Sequence, residues 1–424
     1  MRASGWSAVR RCLLAGILLV GCASRSRESR APAALSPSTV VLVSLDGFRW
    51  DYLDRGVSPN LTRLARDGVR AQAMVPVFPT KTFPNHFTLV TGRYPSRHGI
   101  LGNVFTAPDI GARYSLRDRA AVRDARFYLA EPIWVAAERQ GQRTAPLFWP
   151  GSEAAIAGVR PTYALPFDAG MPDTARVRRL LGWLDLPIGR RPTFLTLYSG
   201  AVDEAGHEYG PDAVETDHAI ARVDTLIGLL DAGLRARSRG DVEPNLVIVS
   251  DHGMASTGPD RVIWLEDYVS PEALQVDEIS ALLTAWPKAG LEDSVVRGLK
   301  RAPHLAVYRR SELPARFHLE GSARVPAVLA IADPGWTIAR RPAAGAESSV
   351  GLGNHGYDDS VSAMRGIFIA HGPAFRRGIT VPPFRNIHVY PLLAEVLRIT
   401  PAPADGSLDS VRALLAGSGG AEFP

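Results

Sequence analysis

Val40-Val41-Leu42-Val43-Ser44-Leu45-Asp46-Gly47-Phe48 is the stretch that decides how this chain folds. From Thr39 to Leu45 the run is β-branched and apolar, with no alternation of polar and apolar side chains. A strand with one wet face alternates, so a continuous run suits a strand covered on both faces, as in a parallel sheet. Two later runs read the same way, Thr193 to Tyr198 and Leu246 to Ser250. Each of the three delivers acidic or histidine side chains at or just after its C-terminal end: Asp46, then Asp203, then Asp251 with His252. In open α/β sheets that is the edge where ligands bind.

Helical stretches alternate with these strands. Ser58-Pro59 reads as a cap followed by a first-turn proline, with Gly68 as the stop. Ile220, Val223, Ile227, Leu230 and Leu234 recur at intervals of three and four along one helix face, which leaves His218 at its surface or edge. Val389 to Leu397 reads as a last packing helix. The expected fold class is α/β, a central and mostly parallel sheet flanked by helices. Residues 267–346 hold an amphipathic stretch near Ile279 to Leu283 and strand-like runs at His304 to Tyr308 and Val325 to Ile331. They read as a smaller inserted α+β substructure within a single catalytic domain spanning 39–424.

The N-terminus has a different character. Arg2, Arg10 and Arg11 precede the apolar run Leu13 to Val20, the layout of an export signal. The run ends in Leu19-Val20-Gly21-Cys22, which resembles a lipoprotein signal-peptidase box and implies a signal peptide over 1–21 with Cys22 lipidated. A plain cleaved signal or an uncleaved anchor is the alternative. Ala23 after the cysteine favours sorting to the outer membrane, so the expected product is an exported lipoprotein facing the periplasm or the cell surface. Residues 22–38, rich in Ser, Arg, Ala and Pro, read as its tether. No later stretch reaches the roughly 18 uninterrupted apolar residues of a membrane span.

The two cysteines are Cys12 and Cys22, so the folded part has neither disulfides nor thiolate metal sites. The formal charge is +5, and removing the three leader arginines leaves about +2. No dense basic stretch interleaved with aromatics appears, so polymeric nucleic acid is not an implied partner.

Seven residues point to chemistry: Asp46, Thr82, Asp203, His207, Asp251, His252 and His355. Carboxylates, imidazoles and one hydroxyl suit paired borderline cations such as Zn2+, and sites of that kind perform phosphoryl-type reactions. Asp203 and His207 are four apart, so one helical turn would place both on one face. Asp251 and His252 are adjacent, so both can serve only if the chain turns there, and Gly253 permits a turn. His355 lies in the glycine-rich Gly353-Asn354-His355-Gly356. Thr82 precedes Pro84, which is well placed to start a helix, and a hydroxyl there meets backbone donors and the positive end of the dipole. Thr80 competes for that role, and an N-capping function for Thr82 is the plain alternative. His86 reads as a supporting residue, and His98, His304, His318, His371 and His388 have no ligand context.

Taken in order, these motifs resemble the nucleotide pyrophosphatase/phosphodiesterase family of the alkaline phosphatase superfamily. The resemblance runs from about Val40 to about Ala404 and is densest from Val41 to Asn103, through Pro79-Thr80-Lys81-Thr82-Phe83-Pro84-Asn85-His86. It implies an alkaline-phosphatase-like fold with two Zn2+ per chain. Asp203, His207 and His355 would hold one, Asp46, Asp251 and His252 the other, with Thr82 bound to the second as nucleophile. It also implies that Asn103 binds a phosphate oxygen, and that Phe83, Tyr198 and Phe167 form a slot for a base. A tyrosine is usual where Phe167 stands, and Tyr163 is its competitor. The implied partner is a nucleotide or other small phosphodiester, with membrane attachment through the N-terminal lipid. Lysophospholipid-type diesters, or a catalytically silent surface binder, are the competing readings.

Overall fold

The computed structural model describes residues 38–238, 243–342 and 350–417. The expected signal peptide and lipid site lie outside them. The central strands are β1 (Val40–Leu45), β2 (Val69–Ala71), β3 (Thr144–Pro146), β4 (Phe194–Ser199) and β5 (Asn245–Val249). Four more, β6 (Leu274–Ile279), β7 (Leu282–Pro287), β8 (Leu305–Arg309) and β9 (Val328–Ala332), form a separate sheet. β10 (Phe368–His371) and β11 (Ile379–Val381) return to the first. The order across the main sheet is β11-β2-β10-β5-β1-β4-β3, and only β10 runs against the rest.

β1 sits between β4 and β5, in parallel register with both: Val40 opposite Phe194 and Asn245. Its side chains divide between two cores. Val40 and Leu42 face one that contains helix residues such as Phe87 and Leu393, while Val41, Val43 and Leu45 face another that contains Ile220 and Ile227. This two-sided burial is what the unalternating run requires. Ser44 is the polar member, and on its face it meets His86 Nε2 at 2.8 Å.

The helices flank the sheet. Those of eight or more residues are α1 (Pro59–Asp67), α2 (Thr82–Thr91), α3 (Asp173–Leu184), α4 (Ala201–Tyr209), α5 (Val214–Arg237) and α7 (Val389–Leu397), while α6 (Glu292–Leu299) belongs to the second sheet. The Ile220-to-Leu234 stripe of α5 is buried as its spacing predicts, and His218 is exposed. The start of α1 differs from expectation in one respect. Pro59 is its first residue, yet Ser58 makes no capping bond. Asp224 of α5 caps it instead, accepting from Leu61 N at 2.7 Å and Asn60 N at 3.2 Å, because a carboxylate is the stronger acceptor at a helix N-terminus.

The second sheet, β6-β7-β9-β8, is antiparallel, with α6 packed on it. The stretch near Ile279 to Leu283 is the turn of the β6–β7 hairpin. Among the described residues no helix is long and apolar enough to cross a membrane.

His98 is fully buried, with Nε2 3.0 Å from Thr88 Oγ1 and Nδ1 accepting from Ile100 N. Burial pushes its pKa from the ordinary 6.5 to about 3. The folded pKa lies below the unfolded one, so the unfolded chain binds the extra proton between those values. The contribution to stability is therefore whole above pH 6.5 and is lost as pH falls toward 3. Urea unfolding of the wild type and of His98→Gln at pH 7 and pH 5 should give a shallower pH slope for the variant. The variant should lose about 2 kcal/mol less than the wild type between the two pH values.

Candidate metal and phosphodiester site

The C-terminal edge of the sheet gathers all seven residues. Asp46 follows β1 directly, and its neighbour Gly47 adopts φ +67°. A Cβ there would lie 2.8 Å from the Asp203 Cα, so only glycine lets the β1 turn approach α4 this closely. Asp203 and His207 share one face of α4, with Asp203 Oδ1 3.5 Å from His207 Nε2. Asp251 and His252 lie past β5, where the chain has turned, and both reach the site: His252 Nε2 is 3.1 Å from Asp251 Oδ2 and 3.4 Å from Asp46 Oδ1. Gly253 serves that turn by clearance, since a Cβ on it would sit 2.2 Å from the Ala363 carbonyl oxygen.

The three histidines present the same nitrogen. Nδ1 of His207 lies 2.9 Å from the Gly353 carbonyl, that of His252 2.9 Å from Gly253, and that of His355 2.9 Å from Thr80. A carbonyl can only accept, so each Nδ1 carries the proton and each Nε2 offers a lone pair, the arrangement of metal-ligating imidazoles. Burial, then His252, Lys81 and His207, hold His355 well below its ordinary pKa, so it is neutral at neutral pH. Burial opposes charge on His252 as well, but the adjacent Asp251 outweighs it and raises that pKa.

The donor set fits divalent cations. Asp46 Oδ1, Asp203 Oδ1 and Asp251 Oδ2 are buried without a hydrogen-bond partner among the described residues. Ligand atoms of Asp203, His207 and His355 lie within 4.8 Å of one another, as do those of Asp46, Asp203 and His252, and of Asp46, His86 and Asp251. Burial, then the Asp251 and Asp203 carboxylates, hold the Asp46 carboxyl well above its ordinary pKa, a repulsion that a cation reverses. His86 is in the third group but has both nitrogens in use, Nδ1 on the Thr82 carbonyl at 2.8 Å and Nε2 on Ser44. It is a brace between sheet and helix.

Thr82 is the first residue of α2, with Oγ1 3.3 Å from His252 Nε2. It caps nothing: the residue at the cap is Lys81. Thr80 is buried away from this point, donating to the Tyr357 carbonyl and accepting from Gly356 N. Asn103 accepts from Phe83 N through Oδ1 at 3.0 Å, which fixes the amide so that Nδ2 is its remaining polar group.

A pocket of about 290 Å³ opens beside these residues. Phe83, Asn103, Phe167 and Tyr198 all line it. Tyr163 does not. It stacks on Trp183 and donates to the Arg190 carbonyl. Phe167 stands edge-on to Phe148. Two further features have no signal in the local sequence. Arg119 and Glu153 line the same pocket and pair with each other, and Glu153 also accepts from Phe167 N and Arg123. The Tyr198 hydroxyl donates to Asp46 Oδ2 at 2.7 Å. Both pairings join residues far apart in sequence, so no local pattern carries them.

The sequence profile of the type I phosphodiesterase / nucleotide pyrophosphatase family matches residues 40–358. The chain belongs to this family. It is 38% identical over 391 residues to an uncharacterized pyrophosphatase/phosphodiesterase of Schizosaccharomyces pombe, covering 88% of this chain and 79% of that one. Against human ectonucleotide pyrophosphatase/phosphodiesterase family member 1 it is 36% identical over 406 residues, covering 92% of this chain but 43% of the relative. The chain thus spans under half the length of that relative. Murine ectonucleotide pyrophosphatase/phosphodiesterase 5, solved as an inactive threonine-to-alanine variant in complex with AMP, superposes with a TM-score of 0.85 at 35% identity. That match covers 89% of this chain and 100% of the other. Membership places the chain among metal-dependent hydrolases of phosphodiester bonds, and the alkaline-phosphatase-like α/β fold agrees with it.

Tyr198→Phe keeps the ring in the pocket and removes the bond to Asp46. Titration against a chelating dye, with zinc as the probe, should show affinity weakened by about tenfold. Unchanged affinity would mean that Asp46 needs no help to hold its orientation.

Proposed function

We propose that this protein hydrolyses nucleotide phosphodiester and pyrophosphate bonds to nucleoside 5′-monophosphates, with Thr82 as nucleophile and two Zn2+ as cofactors. The observation that carries this reading is the Thr82 hydroxyl at the start of α2, 3.3 Å from His252 Nε2 and facing a pocket walled by aromatic rings. Asp203, His207 and His355 would hold one ion, and Asp46, Asp251 and His252 the other. When bound, the ions neutralise developing charge and lower the pKa of a hydroxyl or water.

The rest is done by the chain. Thr82 Oγ1 attacks phosphorus in line, forming a phospho-threonine as the leaving oxygen departs, and water then displaces the threonine. The backbone donors at the start of α2 favour the incoming phosphate. Asn103 Nδ2 donates to a phosphate oxygen, a contribution of about 3 kcal/mol in comparable oxyanion sites. Phe83, Phe167 and Tyr198 would take the base. AMP bound to the murine neighbour, and that neighbour's inactivation by a threonine-to-alanine change, support both halves of the reading. The N-terminal sequence adds an address: an exported lipoprotein anchored through Cys22.

The test compares kcat/KM of zinc-loaded protein on a nitrophenyl ester of thymidine 5′-monophosphate and on nitrophenyl phosphate. A diester preference of about 100-fold, about 2.7 kcal/mol, is expected, and a preference for the monoester would withdraw the substrate assignment. Thr82→Ala should abolish turnover with zinc binding and fold intact, and substantial residual diester hydrolysis would remove Thr82 from its role. Phe83→Ala should raise KM for nucleotides more than for a small nitrophenyl diester. Equal losses on the two substrates would argue against stacking of the base.

A further inference from the structure

The N-terminal edge of the sheet, opposite the pocket, carries positive charge that nothing in the fold uses. The described chain begins there. Val40 N donates to the Thr193 carbonyl, Thr193 N to that of Arg143, and Asn245 N to that of Thr39. Asn245 Nδ2 donates to Ser38 Oγ at 2.7 Å, and Ala374 N donates to Asn245 Oδ1 at 2.8 Å. These contacts place Ser38 at the edge where three connections emerge, which hold Arg143, Arg190 and Arg377 in turn.

All three arginine side chains are exposed, and none has a hydrogen-bond or ion-pair partner among the described residues. Arg143 and Arg377 come from loops, and Arg190 ends the three-residue 3-10 turn Ile188–Arg190, too short to carry an appreciable dipole, so compensation of helix dipoles does not account for them. Asp67 and Asp185 at this edge are matched by Arg66 and Arg237, and Glu138 is occupied by Thr144 and Thr162. Glu243, also exposed here, offsets one charge. Ile188, 73% exposed, projects from the loop that carries Arg190.

From this geometry we infer that the N-terminal edge of the sheet rests on an anionic lipid surface and turns the catalytic pocket away from it. The orientation, though not the charge, rests on the lipid anchor proposed above. Charge complementarity and the point where the described chain begins both favour a membrane as the occupant. The tether from Ala23 to Ser38 has 16 residues, including Arg25, Arg27 and Arg30 against Glu28. Fully extended it reaches on the order of 55 Å, enough to let the edge settle on the bilayer. Basic residues near an anionic surface strengthen association by about fivefold each, and a protruding apolar side chain adds to it. Six-residue strands keep the site on the order of 20 Å from that surface, so small polar substrates reach it from the aqueous side.

The experiment uses full-chain protein purified from membranes and reconstituted on vesicles of phosphatidylcholine alone or with phosphatidylglycerol, read by hydrogen exchange. The segments around Arg143, Ile188 to Arg190 and Arg377 should be protected on anionic vesicles and not on zwitterionic ones. The combined variant Arg143→Glu, Arg190→Glu and Arg377→Glu should lose that protection while its diesterase kcat/KM stays unchanged. Equal exchange on the two kinds of vesicle, or protection that survives the charge reversal, overturns the inference. The intact mass of the same preparation shows whether Cys22 is acylated. A missing acyl group withdraws the anchor alone, because the protection pattern is read separately.

Discussion

Three carboxylates, Asp46, Asp203 and Asp251, converge in buried space with an oxygen of each left without a hydrogen-bond partner among the described residues. Like charges this close cannot all ionise without a counter-charge, as the raised pKa of Asp46 records. Most of the surrounding structure is the means of holding that arrangement. β1 must be buried on both faces to bring Asp46 to the sheet edge. The residue after it must be glycine for α4 to bring Asp203 alongside. Three backbone carbonyls then turn three imidazoles so that each Nε2 faces inward, which makes the cluster a receptor for cations and gives those histidines a fixed tautomer.

Polar links carry this order to the reacting groups. Ser44 on β1 meets His86 Nε2, and His86 Nδ1 holds the Thr82 carbonyl, so the strand that supplies Asp46 also fixes the first turn of α2. Asn103 is locked by Phe83 N, the amide next after Thr82. Tyr198 lends its ring to the pocket and its hydroxyl to Asp46. Pocket wall and carboxylate geometry are therefore linked through one side chain.

Much of this was legible in the sequence because it is local. The β1 run, the three-four stripe of α5, the spacing from Asp203 to His207 and the glycines around His355 each state their structure within a few residues. What was not legible depends on partners distant in sequence. Ser58 looks like the cap of α1, yet Asp224 takes the role from 164 residues away. Gly253 looks like a conformational hinge, but its requirement is steric and comes from Ala363. Phe167 and Tyr163 are both aromatic and four residues apart, and only the packing of Tyr163 on Trp183 leaves Phe167 as the one at the pocket. Arg119 and Glu153 had no local signature at all.

The inserted antiparallel sheet shows why an elaboration with no ligand pattern of its own still bears on the site. Its β6–β7 hairpin brings Glu278 and Ser280 to Lys81, with Lys81 Nζ 2.6 Å from Ser280 Oγ and 3.3 Å from Glu278 Oε1. Lys81 precedes Thr82. Its side chain fills the space that a Cβ on Gly356, beside His355, would need, and Glu278 does the same at Gly102, beside Asn103. The ion pair is nearly buried, so removing one member would leave a charge without its partner, a strong restoring force against displacement. Thr82, Asn103 and His355 thus each adjoin one contact that the insertion supplies. The two sheets are separate as hydrogen-bonded units and continuous as a support for the chemistry.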